Sequence, residues 1–265
     1  MHKYKIYPNE FPEPWASEWG EDRFGLWMAF TFMGVRQVFR WIEPGEFEMG
    51  SPEGEPERFN DEIKHTVNLT QGFWLADSTV TQALWQVVMK ENLSKFKGEN
   101  LPVDSVSWDN AKTFIDEMNS MKPELKLCLP SEAQWEYACR AGTSTPFSFA
   151  EQIDSELVNF DGTEPYNKGM KSGYREKTVE IKTLPPNQWG LYEMHGNIWE
   201  WCQDWYGDYP DELVTDPQGP ETGGHRVVRG GSWFNSGGIC RSAYRNDRLS
   251  DSAYYSIGFR LALGH

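Results

Sequence analysis

The stretch RGGSWFNSGGICRSAYRNDRLSDSAYYSIGFRLA, Arg229 to Ala262, has framework at both ends and something different between them. Gly-Gly-Ser-Trp opens it and Ile-Gly-Phe-Arg-Leu closes it. The interior follows neither the period of 2 of a half-buried strand nor the 3.6 of an amphipathic helix. From Phe234 to Ile257 the side chains are small, polar or aromatic, and none is Lys, Glu, Gln, Met or Trp. So many polar residues between fixed ends make a poor core. Tyr, Ser, Gly and Asn together make an adaptable contact surface, with stiff aromatic anchors and flexible hydrogen bonding.

Working outward, the preceding chain alternates short strands and helices. FGLWMAFTF, VRQVFRWI and EFEMG are aromatic or β-branched runs divided by Gly34 and by Pro44-Gly45, and read as strands. SPEGEPERFNDE is a charged loop, after which Val67, Leu69, Phe73 and Leu75 resume strand alternation. A first helix carries Ala83, Leu84, Val87 and Val88, with Ser78 or Thr79 as N-cap. A second starts from Ser107, with Trp108, Ala111, Phe114, Ile115 and Met118 on one face. A third starts from Ser131, with Gln134 at the capping-box position and Gly142 as its stop. Residues 143–186 read as loops and short strands, and the last eighty residues as Gly- and Trp-rich strand and loop. No linker interrupts this, so the expectation is a loop-rich α+β fold in a single domain, residues 40–265, with a strand-rich extension at 1–39 packed on it.

Composition narrows the function. Forty acidic against 25 basic side chains give a formal charge of −15, which repels phosphate backbones and argues against nucleic acid as partner. The 13 Trp, 15 Phe and 11 Tyr exclude general disorder. FGLWMAFTF is too short to span a bilayer, so no transmembrane segment is expected, and MHKYKIYPNEFPEPW lacks the apolar run of a signal peptide. Cys128, Cys139, Cys202 and Cys240 form no C-x-x-C pair and read as free thiols. The five histidines are scattered, and no G-x-S-x-G, H-E-x-x-H or Walker loop is present. Glu200, Asp204, Asp208, Asp211 and Glu212 read as a structural turn followed by a solvated acidic loop.

Three long motifs, LPSEAQWEYACRAG, GLYEMHGNIWEWCQDWY and VVRGGSW…IGFRLA, together with FEMGSP and PVDSVSWDNA, resemble the formylglycine-generating enzyme (sulfatase-modifying factor) family over roughly residues 40–262. The resemblance implies a C-type lectin-like fold. Enzymes of that family hold copper on two cysteines after Gly-Gly-Ser, as suits a soft ion. Here the second position is Cys240 but the first is Asn235, so the resemblance implies no catalytic residues. A copper- or iron-dependent oxidase with an altered site remains the alternative. The ergothioneine-type branch uses iron ligands from a helical domain absent from this sequence. No cofactor is required on this reading. The likeness also implies a structural calcium site, with carbonyls of Glu193, Gly196 and Ile198 and the Glu200 carboxylate as ligands; oxygen donors suit that ion. The same residues could instead form a hydrogen-bonded turn.

The missing residue types in the interior are those an AAC codon cannot reach when its two adenines change. This resembles the variable proteins of diversity-generating retroelements, which use the same fold. That resemblance makes residues 233–257 a variable region and implies variable, ligand-binding positions at Phe234, Asn235, Ser236, Ile239, Tyr244, Asn246, Asp247, Arg248, Tyr254, Tyr255 and Ser256. Trp233, Cys240, Arg241, Gly258, Phe259 and Arg260 are then scaffold. The implied partner is a protein or glycan selected by diversification, met at a cell surface. The segment Phe234–Ile257 is expected to be exposed, ordered and clustered on one face.

Overall fold

Two neighbouring runs of apolar residues divided by Met33-Gly34, both at positive φ (46° and 84°), can fold back on each other without splaying, because such a turn matches strand twist. The computed structural model, which describes residues 6–263, shows them as a hairpin. The first half of the chain contains β1 (Glu18–Asp22), β2 (Gly25–Phe32), β3 (Val35–Ile42), β4 (Gly45–Met49), β5 (His65–Leu69) and β6 (Phe73–Ala76). Next come α1 (Gln82–Met89), α2 (Trp108–Met121), β7 (Leu127–Cys128) and α3 (Glu132–Arg140). After a long loop follow β8 (Trp199–Trp205), β9 (Val214–Thr215), β10 (Arg226–Arg229), β11 (Arg245–Arg248), β12 (Ile257–Phe259) and β13 (Ala262–Leu263).

The strands form three sheets, in the orders β1-β2-β3-β6-β13-β7, β11-β10-β8-β12 and β4-β5-β9. The last strand, β13, lies between β6 and β7, antiparallel to both, so the chain end is fixed inside the largest sheet. Helices α1 and α2 bury their apolar faces against it. Trp85 stacks on Phe114 at 5.5 Å, and Phe259 meets both rings edge-on. α3 packs Ala133, Trp135 and Ala138 into a second cluster with Leu75, Leu191 and Val227.

Ser107 and Ser131 cap α2 and α3 as full capping boxes, with Asn110 and Gln134 returning the second hydrogen bond. The first helix departs from expectation: its cap is Thr81, not Ser78 or Thr79. The Val80 N–H donates to the Phe259 carbonyl at 3.0 Å, and the Val80 carbonyl accepts from Val103 at 2.8 Å, which ties this residue into backbone pairing and delays the helix. Residues 143–186 hold a short 3₁₀ turn, Tyr166–Lys168, and isolated bridges at Asn159 and Asp161, in place of short strands. β1 and β2 continue the sheet of β3, and the expected boundary at 39/40 falls inside β3. The outermost parts of the expected domains, residues 1–5 and 264–265 with His2 and His265, lie outside the described residues. No helix among the described residues is long and apolar enough to cross a membrane.

Each capping serine satisfies an otherwise orphaned backbone N–H. Ser107→Ala and Ser131→Ala are each expected to lower stability by about 1 kcal/mol, read as a shift of the urea midpoint at constant slope.

Candidate functional site

Arginines hold the C-terminal stretch in place. Arg229, Arg241 and Arg260 are 0% exposed and Arg245 is 4% exposed. Buried guanidinium is tolerated only when its charge and donors are matched. α3 supplies Glu132 and Glu136 one turn apart. Arg229 reaches both, at 2.8 and 2.5 Å, and Arg245 grips Glu132 with Nε and Nη2 at 2.9 and 2.7 Å. Arg241 donates to Glu55 and to both oxygens of Glu62 at 2.6–2.7 Å, and its remaining contacts are the carbonyls of Glu57 and Gly238. Burial opposes the Arg241 charge, but hydrogen bonding and attraction from Glu62 and then Glu55 push its pKa above the ordinary value.

Between these anchors the segment is partly buried and partly open, rather than exposed throughout as expected. Gly237, Gly238, Cys240, Ser242, Ala243, Arg245, Ser256 and Ile257 are buried. Gly237–Cys240 forms a 3₁₀ turn and Arg245–Arg248 pairs as β11 with β10, although no period announced that strand. Phe234, Tyr254 and Tyr255 are 39, 50 and 41% exposed, unusual for large aromatics in a contiguous group.

Phe234, Asn235, Ile239, Tyr244, Asn246, Arg248, Tyr254, Tyr255 and Ser256, nine of the eleven expected positions, line one concavity of about 500 Å³, together with Trp199 and Ile257. Its aromatic wall is built on Trp233, whose ring lies 5.3 Å from Phe234 and 6.0 Å from Tyr255. Phe96 and Tyr174 also contact the Trp233 ring, at 5.7 and 6.3 Å. Tyr244 is half-buried between Trp199 and Phe59, at 5.9 and 5.2 Å, and Ile239 rests on the core. The Arg248 guanidinium lies over Tyr254, 5.9 Å from the ring centre, and donates to Asn246 Oδ1 at 3.0 Å. Ser256, expected on the surface, is buried because its carbonyl accepts from Trp199 N–H at 2.8 Å where the backbone enters β12. Two positions lie outside the lining: Ser236 precedes the 3₁₀ turn, and Asp247 pairs with His225. Trp199 and Phe59 had no signal in the sequence, because both sit in segments that read as framework or loop.

The thiols give no paired site. All four cysteines are free, and burial pushes Cys240 up to about 12. Asn235 accepts a hydrogen bond from Ser232 Oγ at 2.6 Å, and its carbonyl accepts from Asp161 N–H at 2.9 Å. The Glu200 carboxylate accepts from Trp135 Nε1 at 2.7 Å and from Arg260 Nε and Nη2 at 3.0 and 2.8 Å, so a guanidinium already matches its charge. Glu200 sits in strand β8, opposite Arg229 and Gly258, rather than in a turn. Gly196 donates its N–H to the Gly230 carbonyl, and Ile198 is buried. Asp204 is also buried, whereas Asp208, Asp211 and Glu212 are exposed. Among the described residues no group of three or more His, Cys, Asp or Glu could hold a metal ion.

Residues 35–264 match the family of the sulfatase-modifying factor enzyme 1-like domain. The formylglycine-generating enzyme of Streptomyces coelicolor is 33% identical over 173 residues, covering 62% of this chain and 52% of that protein. The serine/threonine-protein kinase pkn1 of Chlamydia pneumoniae is 30% identical over 193 residues, covering 71% of this chain and 27% of that protein. The chain thus spans about half, or less, of the length of these relatives. Among solved structures, Treponema denticola variable protein 1 superposes with a TM-score of 0.77 at 25% identity, covering 89% of this chain and 98% of that one. The fold is that of this variable protein.

Glu193 provides a pH test of the buried framework. Burial pushes its carboxyl up to about 7, against hydrogen bonds from the Lys182 and Leu184 N–H groups. A carboxyl that holds its proton more tightly when folded contributes stability in full below about pH 4.5, and this is lost as pH rises to about 7. Glu193→Gln is expected to remove that slope, about 1.4 kcal/mol per pK unit, in urea midpoints measured from pH 4 to 8. An unchanged slope would contradict the assignment.

Proposed function

The chain belongs to the sulfatase-modifying factor family, and on that premise we propose that it is a non-enzymatic ligand-binding protein whose C-terminal segment is diversified by a retroelement. The observation that carries the reading is the convergence of nine expected positions, scattered over 23 residues of chain from Phe234 to Ser256, on one concavity. Exposed Phe234, Tyr254 and Tyr255 supply rigid contact area there, and Asn235, Asn246 and Arg248 supply hydrogen bonding. The superposition with a protein named variable supports it further. The ligand is a protein or glycan chosen by its fit to this surface, met at a cell surface.

Asn235 and Cys240 favour binding over catalysis. Copper(I) prefers two thiolates, and an amide is a hard donor. A buried thiol with a pKa near 12 is protonated at neutral pH and is a poor ligand and nucleophile. Iodoacetamide at pH 8 is therefore expected to label Cys240 only after denaturation, read by peptide mass spectrometry. Tight stoichiometric copper(I) binding with oxygen-dependent oxidation of a thiol peptide would return the chain to the oxidases.

Sequencing the locus from several isolates tests diversification directly. Substitutions confined to the named positions, beside a template repeat and a reverse transcriptase gene, are expected. An unvarying segment without a template would overturn the reading.

A further inference from the structure

Next to the concavity lies a second, wider groove of about 730 Å³, formed by the loop after α1 and the long loop before β8. Lys95, Lys97, Arg175 and Lys177 line it, with Phe96 and Thr178. In a chain of charge −15, lysines that serve only the fold have carboxylates in plenty to pair with. None of these four cations makes an ion pair among the described residues. Lys97 Nζ donates to the Asn92 carbonyl at 2.7 Å, and the Lys95 ammonium lies over the Tyr255 ring, 4.0 Å from its centre. Four basic side chains face one carboxylate, that of Glu180, among the residues that line the groove. Asp104 is buried and outside the lining, where it accepts from the Lys95 N–H at 2.8 Å.

Two donors at the same wall have no acceptor. Thr178 is buried with its hydroxyl unpartnered, and half-buried Arg175 donates from Nη2 to the Ser155 carbonyl at 2.5 Å while its Nη1 has no partner. Unmatched buried donors cost stability unless something else satisfies them. Gathered cations and idle donors, in a protein that repels anions overall, are complementary to oxyanions held close. The walls are loops with no strand edge for a peptide to extend, so strand addition is not available here. The flat ring of Phe96 suits the apolar face of a sugar.

We propose that this groove binds an acidic saccharide through its sulfate or carboxylate groups, as a fixed subsite beside the variable concavity. Lys97, Lys177 and Arg175 hold the oxyanions, and the Thr178 hydroxyl donates to one of them. Lys95 and Tyr255 form the shared wall, so a chain lying in the groove continues onto the aromatic surface. The inference rests on the proposed function only for that continuation; the groove's own chemistry does not depend on the segment varying.

Isothermal titration of the full chain with short dextran sulfate, against uncharged dextran and poly-glutamate of matched length, tests it. Saturable binding of dextran sulfate alone is expected, weakening about tenfold or more in K97Q/K177Q and several-fold in T178V. The double variant K64Q/K122Q makes the same charge change at lysines that pair with Glu48 and Glu124 and do not line the groove, and is expected to bind like the parent. No saturable binding, equal loss in the two double variants, or equally tight binding of poly-glutamate would each overturn the proposal. Thermal unfolding of every variant separates loss of binding from loss of fold. An invariant locus with dextran sulfate binding intact would remove the proposed function and leave this inference standing.

Discussion

The structure depends on burying four guanidinium groups from one short stretch of chain. Arg229, Arg241, Arg245 and Arg260 reach carboxylates at positions 55, 62, 132, 136 and 200, some of them nearly 190 residues away. Such pairs add little net stability over an apolar core, but removing one partner leaves a buried charge and typically costs 3–5 kcal/mol. Their effect here is positional. The planar fork of arginine fixes direction as well as distance, so a stretch with little apolar periodicity is still held in one conformation.

That lattice divides the C-terminal segment into a buried set and a set lining the concavity. Buried residues such as Cys240, Arg241, Ser242, Ala243 and Arg245 lie between side chains that face the concavity, and the buried set carries the fold. Trp233 links the two, buried beneath yet in ring contact with Phe234 and Tyr255. Tyr244 and Ile239 are less independent, because each leans on the core. Phe234, Tyr254 and Tyr255 are exposed, so change there is expected to alter the surface without opening the interior.

Much of this was readable in the sequence, for local reasons. Ser107 and Ser131 announced α2 and α3 because capping is a short-range hydrogen bond between residues three apart. Gly-Gly-Ser-Trp and Gly-Phe-Arg marked the framework ends. Thr81 was missed because Val80 is held by Phe259 and Val103, which no local window contains. Glu55 and Glu62 looked like part of a charged loop, and nothing nearby in sequence pointed to Arg241 as their partner. Ser256 read as surface because its neighbours Tyr254 and Tyr255 are, while its burial follows from the pairing of β12 with β8. The basic groove was invisible for the same reason: its cations come from two loops about eighty residues apart.

The most direct test of this division of labour is a displayed library in which Phe234, Asn235, Asn246, Arg248, Tyr254 and Tyr255 are randomised together, scored by protease resistance. The account predicts that most members fold as cooperatively as the parent, while a matched library at Trp233, Arg241, Arg245 and Arg260 does not. Equal loss of folding in the two libraries would contradict it, and would make the concavity part of the core rather than a surface free to vary.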